Sequence, residues 1–268
     1  MSVRVVAESP LVSVLVPVHN GARYLAEALA SVAAQTYPTW ECVVVLDSCT
    51  DESELIARSE IPPERLRIVK ITHRRVGSAL MAGLRCAEGT YVARLDADDK
   101  MLPDRLVRQV AEMEARPSLA VLGSAATVID GHGNPVGTRA PLSGVDELKA
   151  ALLRKNQFIH PSVLMRRSSV IEQGGYRTDL PKVEDYDLWL RVAVENDLDN
   201  LAESLTAYRV HPEQETHRGV ISWHAARTVG RSRSQLARSL GHSVLVTEVL
   251  NILWWARNSR LGWWIRRN

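Results

Sequence analysis

The chain has 268 residues, 46% hydrophobic and 24% charged, with 33 basic against 31 acidic side chains and a formal net charge of +2. That balance excludes intrinsic disorder and collagen-like or repeat architectures, and a chain of this length buries a core without disulfides or a structural metal. Cys42, Cys49 and Cys86 are odd in number and show no CxxC spacing, as expected of reduced thiols in a cytosolic protein; Met1–Pro10 lacks the apolar core of a signal peptide, and no run reaches the roughly 18 apolar residues of a membrane span.

In chain order, Val12–Val18 is a β-branched run, and Gly21–Gln35 follows with helical periodicity. Glu41–Asp47 reads as a second strand, and Thr50, Asp51 and Glu54 resemble a capping box for a helix running to about Ser59, before Pro62 and Pro63. Leu66–Ile71, Gly77–Glu88 and Tyr91–Leu95 predict strand, helix and strand, with Gly89 as the helix stop. Pro103 opens a further helix to about Arg116. This alternation implies βαβ units, hence an α/β fold with a mostly parallel sheet covered by helices on both faces.

After Leu119–Asp130 the pattern loosens, with a turn expected at Gly131–Pro135 and a short helix at about Asp146–Leu153. His160–Met165 and Asn200–Val210 read as strands, Glu184–Glu195 as a helix, and Ser222 to about Arg257 as one or two terminal helices. From Arg218 onward there are nine arginines and one acid, Glu248, together with Trp223, Trp254, Trp255, Trp263 and Trp264. Such a tail suits an anionic membrane surface better than a nucleic-acid duplex. The alternative is that these helices pack on the rest of the chain or form a homodimer interface, with the arginines solvated.

In open parallel sheets ligands bind beyond the carboxyl ends of the strands. The predicted strands end in His19 and Asn20, in Asp47, and in Asp96, Asp98 and Asp99, so acids gather on one rim. Three carboxylates in the four residues Asp96–Asp99 repel one another unless a cation neutralises them, and hard oxygen ligands suit Mg²⁺ or Mn²⁺. A solvated acidic turn that caps the next helix is the plainer reading. Glu184, Asp185 and Asp187 form a second acidic cluster at a helix start, where one of them is placed to act as general base toward a hydroxyl. His160 and His211 are near loops, and a lone histidine is more often structural than catalytic.

The segments Val12-Ser-Val-Leu-Val-Pro-Val-His-Asn-Gly21, Val45-Leu-Asp-Ser-Cys-Thr-Asp51, Leu95-Asp-Ala-Asp-Asp99 and Glu184-Asp-Tyr-Asp-Leu-Trp189, in this order and with His160-Pro-Ser-Val163 and Gly174-Gly-Tyr-Arg177 between them, resemble the bacterial-type family 2 glycosyltransferases. The resemblance covers about Val12 to His211 and implies a GT-A fold and inverting transfer of a sugar from a nucleotide diphosphate donor, a UDP-sugar by preference, to a hydroxyl on a glycan or lipid-linked acceptor. It implies that Pro17, His19 and Asn20 border the nucleotide, that Asp47 hydrogen-bonds the base, and that Asp96 and Asp98 form the Asp-x-Asp element for the donor ribose and an Mn²⁺ or Mg²⁺ ion. It further implies that His211 reaches that ion and that Asp185 is the base toward the acceptor.

On that analogy residues 1–217 form the transferase domain, with a nucleotide-sugar half to about 130 and an acceptor half from about 131, followed by a helical extension at 218–268. The expected setting is cell-surface glycan or glycolipid synthesis, in the cytoplasm or peripheral on the inner face of the membrane. Departures from the family pattern are Leu46-Asp-Ser-Cys-Thr-Asp51 in place of Asp-Asp-Gly-Ser-Thr-Asp, His73 where asparagine is frequent, and the absence of the Gln-x-x-Arg-Trp segment of processive synthases, which favours single transfer. Rival readings are a nucleotidyltransferase, which also uses strand-end acids and a metal, and a catalytically silent binding module; Walker A and GxGxxG loops are absent.

Overall fold

The computed structural model describes residues 9–212 and 221–258. Its first part reads β1 (Val12–Val18), α1 (Ala22–Ala33), β2 (Trp40–Asp47), α2 (Ser53–Glu60), β3 (Leu66–Ile71), α3 (Val76–Cys86), β4 (Tyr91–Arg94), β5 (Lys100–Met101) and α4 (Arg105–Ala115). There follow β6 (Leu119–Ile129), β7 (Pro135–Arg139), α5 (Val145–Leu152), β8 (Leu164–Arg166), α6 (Arg167–Glu172), α7 (Glu184–Val192), β9 (Asp197–Arg209), α8 (Trp223–Ser239) and α9 (Val244–Asn258). The strands form one sheet in the order β3-β2-β1-β4-β8-β6-β9-β5, with β7 paired to β6.

The first four strands in that order pair in parallel, as expected of βαβ units. The other half is mixed: β8 runs antiparallel to both β4 and β6, β5 antiparallel to β9, and β6 parallel to β9. Side-chain alternation divides the core in two. Val12, Val14 and Val16 of β1 and Cys42 and Val44 of β2 face α1 and α4 through Leu25, Leu29, Leu106 and Val110. Leu15, Val43 and Val45 face the other way, toward Leu80 and Leu84 of α3. Gly83 is required there, because a Cβ on it would lie 2.0 Å from Leu15 Cδ1.

The stretch from Leu119 is the eleven-residue strand β6, buried over most of its length. One expectation is corrected. The residues before β8 form a 3-10 turn at His160–Ser162, and only Leu164–Arg166 is strand.

Arg105 of α4 ties the two halves together. It is fully buried, and its guanidinium donates to the Arg94, Val163 and Pro161 carbonyls, to Thr206 Oγ1 and to Gln109 Oε1 at 2.7–3.3 Å. Burial, and then the charge of Arg94, lower its pKa to about 9, so this fork of donors stands in place of an ion pair. It anchors the end of β4, from which the acidic run projects.

Candidate active site

The strand order reverses at β1, which lies between β2 and β4, and a cleft opens at their carboxyl ends as the topology requires. Its volume is about 690 Å³, and its lining includes Pro17 near the end of β1, His19 and Asn20 beyond it, Asp96 and Asp98 beyond β4, Asp185 at the start of α7, and His211 beyond β9. These seven expected residues come together from four separate stretches of chain.

Asp47 is placed differently. It is buried, it is not part of the cleft lining, and its carboxylate accepts the backbone N–H groups of His73, Arg74 and Arg75 at 2.8–3.0 Å. Burial alone would raise its pKa, but these amides outweigh burial and hold it below the usual value. Asp47 therefore fixes the 73–75 loop, from which Arg74 and Arg75 reach the cleft, and its carbonyl accepts from His19 Nδ1 at 2.6 Å. The expected capping box is also rearranged: Asp51 accepts from Ser53 of α2 and from the Ala22 N–H at the start of α1, joining two helix N-termini.

The acidic run takes its shape from β5, whose pairing with β9 sets Lys100 against Ala207 and so brings Asp98 and Asp99 beside the 209–211 segment. Asp98 Oδ2 accepts from His211 Nε2 at 2.9 Å, although the two residues are 113 apart in sequence. Asp99 accepts the Arg209 N–H through one oxygen and leaves the other, Oδ2, buried with no hydrogen-bond partner; His211 Nδ1 is buried in the same condition. Asp96 is bound through both oxygens by the buried Arg94 guanidinium, and burial still pushes its carboxyl up to about 6 against that cation.

Oxygens of Asp96, Asp98 and Asp99 lie within 4.8 Å of one another. Hard ligands at this spacing, with an orphaned carboxylate oxygen among them and an imidazole alongside, fit a divalent cation of the Mg²⁺ or Mn²⁺ class. Arg94 already takes both oxygens of Asp96, whereas Asp98 and His211 bond only to each other at this point, through Oδ2 and Nε2.

The second acidic cluster separates into two functions. Asp187 is fully buried and binds Arg191 Nε at 2.8 Å, Arg177 Nη1 at 3.0 Å and Ser232 Oγ at 2.7 Å, which accounts for it structurally. Glu184 and Asp185 line the cleft. Asp185 accepts from Asn156 Nδ2 and from the Tyr186 N–H, both at 2.6 Å, whereas Glu184 Oε2 is buried without a partner. Burial raises both pKa values, and with Asp185 adjacent Glu184 is pushed up to about 7.

A folded-state value of about 7 against an ordinary 4.5 means that the native state holds the Glu184 proton more tightly than the unfolded chain. The stability it contributes is complete below about pH 4.5 and is lost as pH rises through about 7. Glu184→Gln should therefore flatten the decline in unfolding free energy between pH 5 and pH 8, by up to about 3 kcal/mol. Parallel denaturant titrations of wild type and variant at the two pH values check this, and equal declines would refute it.

Several cleft residues carried no role in the sequence reading. Asn156 belongs to no motif and is recognisable only by its bond to Asp185. Arg94 adjoins the acidic run, and its strand periodicity gives no hint that its side chain turns back along Asp96. His160 is held by Tyr176 OH at 3.0 Å and by the edge of Trp189, and burial followed by the Arg94 charge drives its pKa well down, leaving the ring neutral. Asn20, Arg74 and Lys182, all in the cleft wall, are three of the four non-glycine residues with positive φ among the described residues. Such backbone conformations persist where surrounding structure enforces them, and they concentrate at binding sites.

Residues 13–175 match the sequence model of Glycosyl transferase family 2. Among curated proteins, the chain is 36% identical over 184 residues to the amylovoran biosynthesis glycosyltransferase AmsE of Erwinia amylovora, covering 67% of this chain and 68% of that one. It is 34% identical over 187 residues to EpsE of Bacillus subtilis, covering 68% and 66% respectively. The chain thus spans about two thirds of the length of these relatives. Among solved structures, S. aureus TarS 1–349 in complex with UDP-GlcNAc superposes with a TM-score of 0.71 at 19% identity over 90% of this chain and 70% of that one. The mannosyltransferase PcManGT of Pyrobaculum calidifontis, in complex with GDP-Man and Mn²⁺, superposes with a TM-score of 0.62 at 22% identity over 92% and 71%. These likenesses establish the GT-A fold with additional C-terminal helices.

Proposed function

This chain belongs to glycosyl transferase family 2, and from that premise we propose that it transfers a sugar, with inversion, from a UDP-sugar to a hydroxyl of a glycan or lipid-linked acceptor in cell-surface glycan synthesis. The observation that carries this reading is the meeting, in one cleft, of the Asp98–His211 pair on the sheet side with Asp185 at the start of α7. The first can serve a leaving diphosphate and the second an attacking hydroxyl, the two ends of an inverting displacement. The association of AmsE with amylovoran biosynthesis supports a glycan setting, and the UDP-GlcNAc and GDP-Man complexes of TarS and PcManGT support a nucleotide-sugar donor.

Arg23, Arg74, Arg75 and Lys182 give the cleft wall the positive charge that a diphosphate needs. Pro17, His19 and Asn20 border the base and ribose, and Asp96, clamped by Arg94, presents a fixed edge to the ribose. Asp98 and His211 would hold the cation, which when bound supplies Lewis acidity toward the departing diphosphate. Asp185 takes the proton of the acceptor hydroxyl, and Asn156 fixes the orientation of its carboxylate.

Unfolding temperature measured across UDP- and GDP-sugars, with and without Mn²⁺, tests the reading. A donor at 100 times its Kd adds about 2.7 kcal/mol, so the true donor should stand out in the presence of metal and be hydrolysed slowly. Stabilisation by a nucleoside triphosphate instead would favour the nucleotidyltransferase, and stabilisation without turnover of any donor would favour a silent module.

A further inference from the structure

α9 is amphipathic in the reverse sense. Thr247 and Asn251 are buried against α8, where Asn251 Nδ2 donates to the Gly230 carbonyl, and Trp254 stacks on Arg233 with 4.3 Å between guanidinium carbon and ring centre. Arg233 is itself buried and donates to Tyr186 OH, so α8 is anchored to α7 at the floor of the catalytic half. The packing alternative for the tail therefore holds for α8 and for the polar side of α9; Arg218, Trp263 and Trp264 lie outside the described residues. The opposite side of α9 presents Leu245, Val246, Val249, Leu250, Ile252 and Leu253 to solvent, with Leu245 81% and Ile252 61% exposed. At 100° per residue these six side chains cover an arc of roughly 160°, where a surface helix ordinarily carries its charges.

We propose that this face of α9 docks in the plane of an anionic lipid bilayer. Two observations favour that occupant. The sequence after α9 begins, Ser259–Asn268, contains Arg260, Arg266 and Arg267 with Trp263 and Trp264 and no acid, which matches an anionic headgroup layer and its preference for indoles. No helix among the described residues is long and apolar enough to cross a membrane, so an apolar face of this length lies in the interface.

The placement also has a use. A recess of about 1230 Å³ that carries Arg139, Arg154 and Lys155 reaches Trp254 of α9 at one side and shares Asn156 with the catalytic cleft at the other. The recess adjoins α9, so docking would bring it close to the headgroup layer, where a phosphate-bearing, lipid-anchored acceptor would meet the basic residues and extend its hydroxyl toward Asp185. That last step rests on the transferase reading; the docking itself does not.

Flotation of the full chain with phosphatidylcholine vesicles, with and without phosphatidylglycerol, tests the docking in the absence of any substrate. Wild type should float only with the phosphatidylglycerol vesicles and less at raised salt. The double variant L245D/I252D should lose ~tenfold or more of that partitioning while keeping its unfolding temperature and its donor hydrolysis. V249E, alone, should reduce partitioning in the same direction. Absence of wild-type flotation, equal flotation of wild type and double variant, or a wild-type dimer by light scattering that the double variant splits, would each overturn the proposal. Loss of transfer with flotation intact would count against the transferase reading and leave the docking standing.

Discussion

Asp98→Ala is expected to abolish sugar transfer, lowering it by about 10³-fold or more, and to remove the dependence of donor binding on Mn²⁺ while leaving the fold intact. The magnitude follows from the several kcal/mol that charge neutralisation at a leaving group supplies, with each 1.36 kcal/mol equal to about tenfold in rate. Fold survival follows from the contacts: the Asp98 side chain is bound by His211 Nε2 at the cleft surface, and the bond from Arg209 Nε goes to its backbone carbonyl, which alanine retains. Initial rates for wild type and variant with Mn²⁺ and with a chelator, next to their unfolding temperatures, decide the matter. Full activity in the chelator, or in the variant, would remove Asp98 from the mechanism.

Asp185→Asn should reduce turnover by about 10²–10⁴-fold, the usual contribution of a positioned base, while donor affinity stays near wild type. Two adjacent buried carboxylates do not ionise equally, and the one with hydrogen-bond donors ionises first. Asp185 has two donors, Asn156 Nδ2 and the Tyr186 N–H, whereas Glu184 keeps an oxygen unpartnered and is pushed up to about 7. On the proposed mechanism these donors make Asp185 the better candidate for the base. Asparagine preserves the shape and removes the basicity, so kcat should fall with little change in donor Kd. Glu184→Gln should keep turnover within several-fold of wild type; the reverse order of the two variants would transfer the role to Glu184.

The fold from Val12 to Ala115 was legible in the sequence because its determinants are local. Period-2 and period-3.6 patterns alternate from Val12 to Ala115, each segment reports its own burial, and parallel pairing follows from the helices between the strands. The acids at the rim were legible for the same reason, since a strand end is a sequence position. Where an element has two residues, as in β5, local pattern carries no signal.

The site itself was decided by tertiary structure. β5 against β9 joins Asp98 to His211 across 113 residues, and the 73–75 loop closes on Asp47 and withdraws it from the cleft lining. Three acids that look equivalent in Glu184–Asp187 become a buried ion pair, an unpartnered carboxyl and an oriented carboxylate only once Arg191, Asn156 and α8 are packed around them. Likewise, the tail composition named an affinity for anionic surfaces, but which side of α9 faces outward depended on the polar contacts of Thr247, Asn251 and Trp254 with α8 and its neighbours. The physical reason is common to these cases. Periodicity records how much of a side chain is buried, whereas ionisation and ligation depend on which partner lies within about 3 Å, and that distance is set by the packing of segments far apart in the chain.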